Sequence, residues 1–309
     1  MLSTLPQEPL IRHYRRMGEG RSSFWTGVGH TLPPSPSILH KPPSELWVQG
    51  QPSAFELLGR LPESGFAIVG TRHPQARSVS LLQTRMQALR GSPLIILSGL
   101  ALGIDTVAHE EAMKARLPTI AILGSALDDV YPRDNLDLAR RILAAGGLLV
   151  SEFPPGAKIE RHFFLIRNQM IAGWSKATWV VEAGVRSGAL NTAYWSRNQE
   201  RDTYATPCFP GDPALAGTQN LITQELAYPF WEAHHLGSTW KNLVSLDKRS
   251  PSRRANERLE LTGDLFQQQE TSTPDSFVLA QKVANFTFER GGARVEELLE
   301  WALGSGWEP

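Results

Sequence analysis

Apolar residues recur through the middle of the chain in short dense runs, separated by stretches of helical period. The runs are FAIVG from Phe66, LIILSG from Leu94, TIAILG from Thr119, GLLVSE from Gly147, TWVVEA from Thr178 and a weaker TYATPC from Thr203. In the first intervening stretch Val79, Leu82, Met86 and Leu89 share one helical face, with Arg85 and Arg90 off it. Runs apolar at every position are strands buried on both faces, the mark of a parallel sheet with right-handed helical crossovers. The pattern predicts a doubly wound, mostly parallel α/β sheet over residues 63–230.

The flanks lack this order. Residues 1–62 carry nine of the 22 prolines and read as an irregular N-terminal arm, with SELWVQG (Ser44–Gly50) as a short strand. Residues 231–276 read as a linker, polar beyond Lys241. Residues 277–309 read as a short helical tail, with Val295, Leu298, Leu299 and Ala302 at helical spacing. That tail falls short of the roughly 40 residues that usually fold alone.

Composition changes this picture little. The 31 basic residues offset the 31 acidic ones, so whole-chain charge says nothing of a nucleic-acid partner and only local distribution can. The single cysteine, Cys208, excludes an internal disulfide framework or a multi-cysteine metal site and points to a reducing compartment. No apolar run approaches the 18 or so residues of a membrane span and no signal-peptide core opens the chain, so the expected location is cytoplasmic.

Charge becomes informative between Phe66 and Ile104, which holds no Asp or Glu but has Arg72, Arg77, Arg85 and Arg90. Gly70, Thr71 and Arg72 end the first strand, where open α/β sheets place ligands. The turn is G-T-R-H-P rather than G-x-G-x-x-G, and no acid follows to hold a ribose hydroxyl, so a phosphodiester backbone fits better than a dinucleotide. After the second strand comes SGLALGID, whose Ser98–Gly99 turn offers main-chain amides to a phosphate. There Asp105 and His109 share a helix face, as an acid–base pair, part of a metal site or a helix cap. Further on, Lys158, Arg161, Arg167 and Asn168 interleave with Phe163 and Phe164, the alternation of cations and rings that suits single strands. In an extended segment the two phenylalanines point opposite ways, so one stacks on bases and the other plugs the core. Ser187–Gly188 opens the helix after the fifth strand, as an anion site or a plain helix start. Glu182 is the one acid placed for catalysis, and neither a partnered nucleophile nor a Walker loop accompanies it.

Taken in order, AIVGTR, SGLALGIDTVAH, AILGSALDDVYPRDN, SEFPPG, RNQMIAGWS, VVEAGVRSGALNTA and PCFPGDPALAGTQNLI closely resemble the DNA-processing protein A family (DprA, also called Smf) over residues 42–226. The resemblance implies an extended Rossmann-like fold, single-stranded DNA binding, homodimerisation and loading of a RecA-type recombinase during natural transformation. It implies no catalytic activity, cofactor or metal. Carried over by motif, the DNA-contacting positions are Gly70–Arg72, Ser98–Gly99, Lys158, the Arg161–Asn168 segment with Phe164, and Ser187–Gly188. Where the family commonly has proline before the Arg-Asn pair and arginine after it, this chain has Ile166 and Gln169. The dimer is expected to form through Tyr204–Leu226. The alternatives from other classes are a phosphoribohydrolase-like enzyme, whose P-G-G-x-G-T-x-x-E segment does not occur here, and a nucleotide sensor.

Overall fold

The computed structural model describes residues 9–17, 24–27, 30–31, 43–208, 211–237 and 239–240. The chain divides into two compact units, residues 1–222 with 226–248, and residues 223–225 with 249–309. The tail and most of the expected linker lie outside the described residues.

Each apolar run forms a strand, and the segments between them form helices. The order is β5 (Gly65–Val69), α2 (Ala76–Ala88), β6 (Ile95–Ser98), α3 (Ile104–Lys114), β7 (Thr119–Leu123), α4 (Leu136–Ala144), β8 (Leu148–Ser151), α5 (Arg161–Gly173), β9 (Ala177–Val180), α6 (Ala189–Asn198), β10 (Asp202–Ala205), α7 (Ala216–Thr223) and β11 (Tyr228–Pro229). Ahead of them stand β1 (Leu10–Met17), β2 (Phe24–Gly27), β3 (His30–Thr31), β4 (Glu45–Gly50) and α1 (Glu56–Ser64). The proline-rich arm therefore contributes sheet. β4 pairs antiparallel with β8, and β1 pairs antiparallel with β4 from Leu10 opposite Gly50 to Arg15 opposite Glu45. From β11 to β8 the sheet is parallel, in the order β11-β10-β9-β5-β6-β7-β8.

Strand residues alternate between two helical layers, as the pleat requires. Ala67, Val69, Ile120 and Ile122 share one core with Leu58 of α1, Met170 of α5 and Ala193 of α6. Phe66 and Ile68 face the other way, onto Leu82 and Met86 of α2 and Ile104 and Ala108 of α3. Ala121 and Leu123 extend that layer toward Leu138 and Ile142 of α4. Residues 231–240, expected to open the linker, instead finish this core. Ala233, Leu236 and Trp240 are buried there, and Trp240 meets Phe66 edge-on at 5.4 Å.

The chain runs outward from β5 through β6, β7 and β8, then returns to add β9 on the other side of β5. This reversal opens a crevice at the carboxyl ends of β5 and β9, where doubly wound folds hold their ligands.

Candidate nucleic-acid interface

At the crevice the two strand ends are tied together. Thr71 donates its amide to the Glu182 carbonyl at 2.8 Å, and the Thr71 carbonyl accepts the Ile104 amide at 3.1 Å. Arg72, next in sequence, is exposed. The Glu182 side chain, 2% exposed, accepts the backbone N–H of Gln75 at 3.0 Å. Gln75 is the cap residue of α2, so the acid marked out for catalysis is engaged at a helix start. Arg77 likewise pairs with Asp212. Of the four arginines in the acid-free stretch, Arg77 thus finds its counter-charge elsewhere in the chain.

The loop after β6 is equally self-contained, which corrects the expectation for Ser98 and Gly99. Ser98 is fully buried and donates to the Ile68 carbonyl at 2.6 Å. The amides of Gly99 and Ala101 donate to Asp105 Oδ2 at 3.1 and 3.4 Å. Asp105 is therefore no helix cap. Gly103, at φ +80°, holds that position, and the carboxylate folds back onto the loop. Burial raises the Asp105 pKa, with the Arg167 charge opposing. His109 does not meet Asp105; its Nδ1 lies 2.7 Å from Thr119 Oγ1, and burial foremost, then Arg167, push its pKa down to about 3. No group of three or more His, Cys, Asp or Glu side chains suited to a metal occurs among the described residues.

The segment from Arg161 is not extended; it is the start of α5, so Phe163 and Phe164 lie about 100° apart on a helix rather than on opposite faces. Both are half-buried. Phe163 stacks on Phe153 with centroids 3.8 Å apart, and Phe164 lies over Gly124, where a Cβ would meet its ring at 2.6 Å. Only glycine fits beneath Phe164. Arg161 is exposed, as is Lys158 before it.

Arg167 is the clearest correction. It is 5% exposed and turned inward, with Nη1 donating to the carbonyls of Gly99 and Ile122. A guanidinium so placed supports the strand ends from beneath and does not reach a ligand from solution. Its Nε donates to Asn168 Oδ1 at 3.2 Å, and Asn168 in turn donates to Asn191 Oδ1 at 3.3 Å and toward the Gly188 carbonyl at 3.5 Å. α5 thereby joins the loops after β6 and β7 to the start of α6. At that start Ser187 Oγ accepts the Ala189 amide at 3.3 Å and Gly188 is exposed.

Two residues that sequence reasoning passed over belong to this edge. Glu152 follows β8 with Oε1 buried and unpartnered; burial raises its pKa to about 7, against the pull of Arg167. Arg186, exposed beside Ser187, lies within a motif quoted only for its serine and glycine. Arg72, Lys158, Arg161 and Arg186 are all exposed, and none has an ion-pair partner among the described residues.

Fold and edge together define a Rossmann-like α/β protein whose strand ends carry solvent-facing cations beside aromatic rings. The chain belongs to the family of DNA recombination-mediator protein A, which matches residues 25–241. It is 41% identical to Protein Smf of Synechocystis over 60% of this chain and 46% of that one. It is 34% identical to the DNA processing protein DprA of Bacillus subtilis over 64% of each chain. The chain thus spans between about half and two thirds of these relatives. Among solved structures, DprA of Streptococcus pneumoniae superposes with a TM-score of 0.59 at 32% identity, over 66% of this chain and 69% of that one. A Helicobacter pylori DprA, described for its single-stranded DNA binding mode, shares the fold with a TM-score of 0.58 at 24% identity, over 76% of this chain and 96% of that one. No described helix is long and apolar enough to cross a membrane.

Proposed function

We propose that the protein binds single-stranded DNA along the carboxyl edge of its sheet and delivers it to a RecA-type recombinase in DNA processing, as in natural transformation. The observation that carries this reading is four exposed cations, Arg72, Lys158, Arg161 and Arg186, without an ion-pair partner among the described residues, on the edge that also carries Phe163 and Phe164. Cations follow a phosphate backbone and rings stack on unpaired bases, a combination a duplex cannot use. Gly70 and Thr71 shape the turn that presents Arg72, and Gly188 leaves the start of α6 open to a phosphate. Asn168, Ser98, Gly99 and Arg167 hold these loops from within.

The reading includes no catalytic step and no cofactor. An enzyme of the phosphoribohydrolase kind needs a free acid at the crevice, and the Glu182 carboxylate is already engaged by the α2 amide. Family membership is what supports the recombinase and the homodimer in this reading. For the dimer, Leu215 and Leu221 of the expected interface are buried within the chain, so contact falls to the adjacent edge strand β11 with exposed Tyr228 and Trp231.

The test is affinity for a single-stranded oligonucleotide across a salt series, beside a duplex of the same sequence and a mononucleotide. The expected result is a preference for the single strand with a steep salt slope and little dependence on sequence. Equal affinity for duplex, or tight binding of the mononucleotide alone, overturns the reading.

A further inference from the structure

We propose that Tyr131 is a second base-stacking platform on this edge, an inference that rests on the single-strand reading above and adds a nucleobase site to it. Tyr131 lies in the loop between β7 and α4. Its ring sits at 55° to Phe164 with centroids 5.6 Å apart, while 44% of the residue remains exposed. Phe164 and Arg161 are three positions apart on α5 and so share a face, which sets Tyr131 beside a phosphate-binding cation.

The loop is held in place on both sides. Ser125 Oγ accepts the Tyr131 amide at 3.2 Å, and Ser151 Oγ donates to the Ser125 carbonyl at 2.7 Å. Asp128 Oδ2 accepts the Gly156 amide at 2.9 Å, stitching the Tyr131 loop to the one that bears Lys158. Of the three acids in this loop, Asp129 is matched by Arg133 at 3.7 Å and Asp128 is engaged by the Gly156 amide, while Asp134 is exposed. On the outer side of α5, Leu165 and Ile166 are 52% and 38% exposed, so the cations flank an apolar strip. A large ring left half in water, fixed by its backbone and leaning on Phe164, has the form that sequence-tolerant base stacking uses. Its ligand class is an unpaired nucleobase, purine or pyrimidine.

The experiment compares the full chain with Tyr131→Ala, Tyr131→Leu and Tyr131→Phe on a single-stranded oligonucleotide and on the same strand carrying abasic sites. Thermal melts run in parallel. Stacking predicts that Ala and Leu weaken binding about tenfold while Phe keeps it, since Leu can still pack on Phe164 but offers no flat ring. The salt slope stays unchanged in all three because no charge is lost. On the abasic strand, wild type and Tyr131→Ala bind alike. Unchanged affinity in Tyr131→Ala overturns this proposal alone, as does a Phe variant as weak as Ala. Failure of the wild-type chain to bind the single strand overturns both this proposal and the reading beneath it.

Discussion

Arg167 Nη1 lies 2.7 Å from the carbonyl oxygen of Ile122, so a residue of α5 closes a hydrogen bond onto the end of β7 from inside the molecule. The same nitrogen serves Gly99, and Asp105 and Glu152 lie within its electrostatic reach. Replacing Arg167 with Met leaves two buried carbonyls without a donor and two acids without their cation. The expected loss is about 3 kcal/mol of stability, read by chemical denaturation. Because the side chain faces inward, the salt slope of DNA binding in the surviving folded fraction should match wild type. A slope lower by a full phosphate contact would return Arg167 to the ligand surface.

Arg72→Glu tests the outward face. Loss of one phosphate contact lowers the single-strand salt slope by about 0.7 on a log–log plot, with a similar affinity loss for every sequence. Arg85 lies off the apolar face of α2 but makes a poor matched control, since it is half-buried with Nε buried and without a hydrogen-bond partner. Arg90, exposed at the far end of α2, takes its place. Equal losses in Arg72→Glu and Arg90→Glu would mean general charge and no site.

Glu152 makes the edge sensitive to pH. With its pKa raised to about 7, the folded protein holds a proton that the unfolded chain releases above about 4.5. Its contribution to stability is therefore present at the acid end and is lost as pH rises through 7. Glu152→Gln should remove about 2 kcal/mol of the stability wild type gains, relative to the variant, between pH 7 and pH 5. Protonation also removes a negative charge near Arg167, so single-strand affinity should rise from pH 8 to pH 6 in wild type and rise less in the variant. Parallel profiles in the two proteins would exclude Glu152 as the source.

Asp105→Asn separates hydrogen bonding from charge. Asparagine retains an oxygen for the Gly99 and Ala101 amides but no longer offsets the Arg167 charge. Stability should fall by about 2 kcal/mol while DNA affinity at saturating folded protein changes less than twofold. A tenfold loss of affinity without loss of stability would place Asp105 at the ligand.

The central parallel strands were legible because each is apolar at most positions, and the helices because their faces keep a 3.6-residue period. β1 was not, since its sequence LIRHYRRM puts four arginine or histidine side chains into eight residues, and Tyr14 is buried where β1 pairs with β4. Spacing located Arg72, Lys158 and Arg161 at the carboxyl edge of the sheet because each follows a strand end. Spacing could not say that Arg167 turns inward, because the helical phase of α5 sets its direction and the segment carried no period that fixed the phase. Counting acids also misled. The Phe66–Ile104 stretch lacks its own, yet Glu182 and Asp212 arrive from more than a hundred residues away to answer the α2 start and Arg77. A sequence window shows charge deficits, and only the fold shows which of them are settled internally. Tyr131 stood in a quoted motif, but it lies in the loop well beyond the end of β7, where no spacing marks it out.

The order of strands also sets a ruler. Arg186 follows β9 and Lys158 follows β8, and four inter-strand steps of about 4.8 Å separate those strands, a span of about 19 Å. A chain advancing about 3.4 Å per nucleotide crosses it in roughly six nucleotides, and a stretched one in fewer. One protomer therefore has a short footprint, and in a length series affinity should plateau near that size. A further gain with longer oligonucleotides would be the sign of a second copy of the chain on the same strand.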